Sequence, residues 1–126
     1  MFSHIMVGAN DVAASKAFYD ALFASVGGKP AITDDMGRLI YMHDGALFMV
    51  TKPIDGEPAC HANGGTIGFA MASPEQTDAW HAAGIAAGGT ACEDAPGVRE
   101  ASFGKLYLAY LRDPAGNKLC GLHRMA

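Results

Sequence analysis

The 126-residue chain sets nine Lys and Arg against thirteen Asp and Glu, for a formal net charge of −4 and a pI near 5.6. No basic cluster alternates with aromatics as a nucleic-acid surface requires, and no apolar run approaches the roughly 18 residues of a membrane-spanning helix, so neither partner is expected. Half of the residues are hydrophobic and sixteen are glycine, which argues against disorder and for one turn-rich globular core.

In chain order, Phe2 to Gly8 reads as a strand, interrupted by Asn10-Asp11 before any signal-peptide core could form. Asn10 or Asp11 can cap a helix over 11–26 whose apolar face carries Phe18, Ala21, Leu22 and Val26 at helical spacing, and Gly27-Gly28 ends it. Residues 31–35 form a weak strand. A hairpin follows, in which Leu39 to His43 turns through Asp44-Gly45 into Leu47 to Val50. Residues 55–64, rich in Gly, Pro and Asp, read as a linker.

The order then repeats. Thr66 to Ala72 is a strand, and Ser73-Pro74-Glu75-Gln76 supplies an N-cap, a first-turn proline and a capping-box glutamine for a helix over 74–87 that carries Ala79, Trp80, Ala83 and Ile85. Gly88-Gly89 closes it. Thr90 to Glu93 is a weak strand, and 95–104 lacks periodicity and reads as a lid. The closing hairpin runs from Leu108 to Arg112, through Asp113-Pro114-Ala115-Gly116-Asn117, into Leu119 to Leu122. An offset of 62 pairs His4 with Thr66, Phe18 with Trp80 and Gly27 with Gly89, which points to duplication of one β-α-β-β-β unit. The expected fold is α+β, with module one at 1–54, the linker at 55–64 and module two at 65–126, each with a four-stranded sheet. Three cysteines without C-x-x-C spacing fit reduced thiols and a cytoplasmic protein.

His4 on the opening strand, Ser15-Lys16-Ala17-Phe18-Tyr19 on the first helix and the closing Arg112-Asp113-Pro114-Ala115-Gly116-Asn117-Lys118-Leu119 together resemble the vicinal oxygen chelate superfamily of glyoxalases, bleomycin-resistance proteins and extradiol dioxygenases. The resemblance covers nearly the whole chain. It implies two tandem βαβββ modules whose curved mixed sheets form a funnel, with the helices outside and a ligand within. It also implies a homodimer. In metal-dependent relatives, ligands stand on the first and last strand of each module. Counting along the two halves places those positions at His4, Phe48, Thr66 and Cys120, of which only His4 matches.

A phenyl ring cannot coordinate a divalent ion and a hydroxyl is a weak donor, so no metal cofactor is favoured. If Zn, Ni, Mn or Fe bound, His4 and Cys120 would hold it. The expected pocket is lined by His4, Met6, Tyr41, Phe48, Thr66, Tyr110 and Cys120, with Arg99 on the lid as a clamp for an anionic group. The expected function is binding of a small organic molecule in the funnel without a conventional metal. The alternative is a metal-dependent glyoxalase-like lyase or dioxygenase-type enzyme built on His4 and a non-standard ligand set. Cys120 and His123, an odd number of strand positions apart, should face opposite sides. Asp113, before a proline in a hairpin, reads as a turn cap.

Overall fold

Both helices begin where the sequence supplies a side-chain acceptor for their free amides. The Asp11 carboxylate accepts the Ala14 N–H at 3.0 Å, and Ser73 Oγ accepts the Gln76 N–H at 3.0 Å with Pro74 filling the first turn. The Gln76 side chain reaches back to the Ala72 N–H at 2.7 Å, one residue earlier than a capping box would place it. The computed structural model describes all residues, 1–126. It shows β1 (Ile5–Gly8), α1 (Val12–Ala24), β2 (Ile32–Thr33), β3 (Leu39–His43), β4 (Ala46–Thr51), β5 (Ile67–Ala70), α2 (Pro74–Ala86), β6 (Thr90–Ala91), β7 (Gly97–Ala101), β8 (Gly104–Arg112) and β9 (Lys118–Arg124).

The first sheet runs β1-β4-β3-β2 and the second β5-β9-β8-β6, with β7 also on β8. In each, the opening strand lies parallel to the last and the remaining pairs are antiparallel. The fold is therefore α+β, with two mixed sheets of four and five strands. The fifth strand of the second sheet corrects the reading of 95–104 as a lid. Gly97–Ala101 has little strand propensity of its own, but nine-residue β8 offers it a free edge, and Ala101 pairs with Gly104 across a tight turn.

Side-chain alternation decides what each sheet presents. Ile5, Val7, Leu39, Tyr41, Phe48 and Val50 of the first sheet share one core with Phe18, Tyr19, Leu22 and Phe23 of α1. Phe69, Leu111 and Leu119 of the second sheet enter the same core beside Trp80 of α2. The helices pack on each other where Gly84 leaves room: a Cβ there would stand 2.8 Å from Leu111 and 3.1 Å from Leu22. Within one chain the helix-bearing faces are thus turned toward each other, rather than the helices lying outside. The opposite faces, with Met6, Ile40, Met42 and Met49 on one sheet and Leu108, Tyr110, Cys120 and Leu122 on the other, point away from this core. Both opening strands, β1 and β5, keep one unpaired edge.

The closing hairpin ties the modules together through Asp113, which is 4% exposed. Its Oδ1 accepts the N–H groups of Ala115 and Asn117, both at 2.9 Å. Its Oδ2 accepts the Tyr19 hydroxyl of α1 at 2.6 Å and the Asn117 side-chain amide at 2.8 Å. That amide also donates to the Gly8 carbonyl of β1 at 3.0 Å. The turn cap expected at Asp113 is therefore also an inter-module anchor.

Tyr19→Phe should cost roughly 2 kcal/mol, the range for a hydrogen bond to a charged group, read from denaturant unfolding. Burial first, and then the adjacent Asp113 charge and hydrogen bond, hold the Tyr19 hydroxyl well above its ordinary pKa. An unfolded tyrosine releases its proton near pH 10, so this contribution is complete below about pH 10 and is lost as pH climbs from there toward the folded value. The alkaline loss of stability should be smaller in Tyr19→Phe than in the parent.

Candidate ligand site

The expected site residues fall on three surfaces. His4, exposed, and Met6, 40% exposed, lie on the outward face of the first sheet. Thr66, Arg99, Tyr110 and Cys120 belong to the outward face of the second. Tyr41 and Phe48 point inward and line a pocket of about 510 Å³ between the modules. No single cavity in one chain gathers all eight.

Phe48 is displaced by a slip of one residue. Counting from the turns aligns Ala46 with Lys118, hence Phe48 with Cys120. Pairing to the parallel opening strands says otherwise, because Ile5 pairs with Phe48 and Ile67 with Leu119. The offset of 62 between the opening strands becomes 71 between the closing ones, so the counterpart of Cys120 is Met49. The two turns differ in length, closing His43 on Ala46 and Arg112 on Lys118, and this shifts the count by one. In a strand one position exchanges faces.

On the outward face of the second sheet, Tyr110 stands directly opposite Cys120 in the β8–β9 ladder. The Lys118 ammonium lies 5.0 Å from the Tyr110 ring and pairs with the Glu93 carboxylate. Arg99, on strand β7 rather than a lid, pairs with Leu106 and donates to the backbone carbonyls of Asp94 at 3.2 Å and Ala95 at 3.0 Å. Its guanidinium is tied to its own loop at one nitrogen and keeps the rest of its fork. Burial pushes the Cys120 thiol up, and the Tyr110 hydroxyl, which favours the thiolate, does not outweigh it. Burial likewise raises Tyr110, and the neighbouring Cys120 adds to the shift. Both groups stay protonated at neutral pH, as donors rather than nucleophiles. Lys118 and Glu93 were not singled out from sequence; the odd-even pattern that places Cys120 outward places Lys118 there too.

His4 shares a hydrogen bond of 2.8 Å with Ser3 Oγ. No group of three His, Cys, Asp or Glu side chains converges anywhere in the chain. Cys120 and His123 do face opposite sides: the His123 ring meets the Met71 carbonyl at 3.0 Å, on the helix side. His81 likewise meets the Tyr110 carbonyl at 3.0 Å. No helix is long and apolar enough to cross a membrane.

Two tandem modules of one strand, one helix and three or more strands are the architecture of the vicinal oxygen chelate class. A glyoxalase/bleomycin resistance protein from Albidiferax ferrireducens T118 is 58% identical, over 98% of this chain and 99% of that one, with a TM-score of 0.94. The chain belongs to the glyoxalase/bleomycin resistance family. A glyoxalase/bleomycin resistance protein/dioxygenase family enzyme from Burkholderia phytofirmans PsJN shares the fold at 20% identity, 98% coverage of both chains and a TM-score of 0.75. So does a fosfomycin resistance protein, FosX, from Listeria monocytogenes, solved with Mn(II) and 1S,2S-dihydroxypropylphosphonic acid, at 16% identity, 96% and 87% coverage and a TM-score of 0.71. No family model and no curated protein matches the chain.

Alkylation should separate the thiols. At pH 7 iodoacetamide is expected to modify exposed Cys60 well before buried Cys120, as read by peptide mass spectrometry over time.

Proposed function

We propose that this protein binds a small, oxygen-bearing organic molecule in a funnel closed between two copies of the chain. What carries the reading is the outward face of the second sheet. Tyr110, Cys120, Arg99 and Lys118 supply oriented polar groups there among apolar Leu108 and Leu122, on the face turned away from the shared core, with Cys120 and Leu108 themselves only 5% and 8% exposed. Ligand pockets take this form, with an apolar lining and few polar groups that set orientation. A second copy offering its first sheet would bring His4, Met6 and Met49 over that face and cover the open edges of β1 and β5.

Mn(II) in the Listeria relative prompts a test of fit for a metal. His4 is a suitable donor, but Thr66 offers a neutral hydroxyl, Cys120 a thiol held in its protonated form, and Phe48 lies in the core. A divalent ion would find one good ligand, against about three in an ordinary open site. These residues do not fit a conventional catalytic metal, and no step is assigned to one. Chemistry within reach is binding and orientation: hydroxyl and thiol donors from Tyr110 and Cys120, and a guanidinium fork from Arg99 for a carboxylate or similar oxygen pair.

Sedimentation velocity at micromolar concentration should give twice the 13.1 kDa chain mass, and Met42→Glu, which puts a charge on an exposed position of the outward face of the first sheet, should shift it to the monomer. Elemental analysis of protein purified without an affinity tag should show substoichiometric zinc, nickel, manganese and iron. A monomeric mass, or one equivalent of metal lost in His4→Ala, would overturn the reading in favour of a metal-dependent enzyme or a single-chain site.

A further inference from the structure

The pocket between the modules lies on the other side of both sheets from the proposed funnel. Its walls come from both modules, with Phe23, Tyr41 and Phe48 on one side and Phe69, Met71 and Trp80 on the other. Several of these rings touch. The Phe48 and Phe69 centroids are 5.6 Å apart in an edge-on arrangement, and Phe69 lies 6.0 Å from Trp80. A volume of about 510 Å³ is that of a drug-sized ligand pocket. The floor is apolar, so water inside it has few partners and is displaced at low cost by an apolar group.

The polar groups stand at the mouth. His43, Asp44 and Gln76 rim it, the last from the first turn of α2. Asp44 is the one charged lining residue, since no lysine or arginine reaches the pocket. It occupies the left-handed turn position with φ of 49°, its carboxylate 89% exposed and 3.4 Å from His43 Nε2. An anionic head group entering here would meet a carboxylate and no compensating cation. A neutral or positively charged one would not.

We infer that the inter-module pocket is a second ligand site, distinct from the outward faces, for a planar aromatic molecule with a neutral or cationic head group. The ring system packs among Phe23, Phe48, Phe69 and Trp80, where edge-to-face geometry is already available. The head group stays at the mouth beside Asp44 and His43. A cationic head has the electrostatic advantage, modest because Asp44 is exposed to solvent and salt. The site lies on the opposite side of both sheets from the funnel, but draws Ile5 and Phe69 from β1 and β5, the edge strands that a second copy would cover.

Trp80 is the single tryptophan and lines the pocket, so its indole N–H resonance reports occupancy without labels on the ligand. The full chain is titrated with 2-naphthylmethylamine, 2-naphthalenemethanol and 2-naphthoate, followed by nitrogen–proton correlation spectra and calorimetry. The amine and the alcohol should saturate a Trp80 shift, and naphthoate should bind about tenfold more weakly than the amine. Ile67→Phe, which fills the pocket from β5, should weaken the amine by about tenfold or more. If that variant does not fold by circular dichroism, Asp44→Asn serves instead. It keeps a residue tolerant of the turn and should bring the amine down to the affinity of the alcohol. The inference fails if no probe moves Trp80 at millimolar concentration, if naphthoate binds as well as the amine, or if Asp44→Asn leaves the preference intact. It fails equally if binding weakens in step with rising protein concentration, which would make a second copy of the chain the occupant.

Discussion

One buried carboxylate holds the arrangement of this molecule. Asp113 closes the longer of the two equivalent hairpins on itself and, through Tyr19 and Asn117, fixes that hairpin to α1 and β1 of the other module. A buried charge is stabilising only when its lone pairs are satisfied, and here four donors meet two oxygens. The orientation of the modules is thereby specified, not merely favoured: rotating one against the other would take the Tyr19 hydroxyl from a carboxylate that is only 4% exposed. Apolar packing supplies most of the attraction between the halves, but apolar packing alone tolerates many relative orientations.

From that orientation follows which faces are free. Because Tyr19 must reach Asp113 from α1, the helix-bearing sides of both sheets are drawn together and share one core with Trp80 and Leu111. The alternate residues of every strand are then turned outward. For most β-proteins an exposed sheet face is polar. Here the first sheet keeps Met6, Ile40 and Met42 outward, with Met6 and Met42 40% and 62% exposed. Apolar surface left in contiguous form on an outward sheet face has the character of an interface. The same constraint leaves a gap where the sheets diverge, and the inter-module pocket occupies it.

Much of this is legible in the amino-acid sequence. Helix boundaries were clear because Asp11, Ser73 and Pro74 act locally, through hydrogen bonds and a fixed φ that need no tertiary partner. The duplication was legible because glycines close both helices at matching positions. What was lost depended on distant partners. β7 forms only because β8 lends it an edge, and Gly97–Ala101 by itself carries no periodicity. The exchange of Phe48 for Met49 arises from two turns of unequal length, whose effect on register is settled by pairing to strands some forty to fifty residues away. The turning of helix-bearing faces toward each other is a property of Asp113 in three dimensions, and its sequence reads only as a hairpin cap.

Corrected register also clarifies how the two copies of one unit have diverged. Met49 pairs with Ile40 in the first module, and at the equivalent slots of the second Cys120 pairs with Tyr110. The backbone positions are the same; a pair of soft apolar side chains has become a thiol and a phenol. The change continues one step along, where Leu47 corresponds to Lys118 and Met42 to Arg112. Duplication thus produced one outward face that is mostly apolar, with His4 its imidazole donor, and another with hydroxyl, thiol, ammonium and guanidinium groups. In a cleft closed between a first sheet and a second sheet, the two contributions would be complementary. Methionines, with three rotatable bonds and a polarizable sulfur, adapt to the body of a bound molecule. Discrimination would then rest chiefly on the second module, since a site built to hydrogen-bond a substrate oxygen rejects the analogue lacking it far more strongly than an apolar wall rejects an extra methylene.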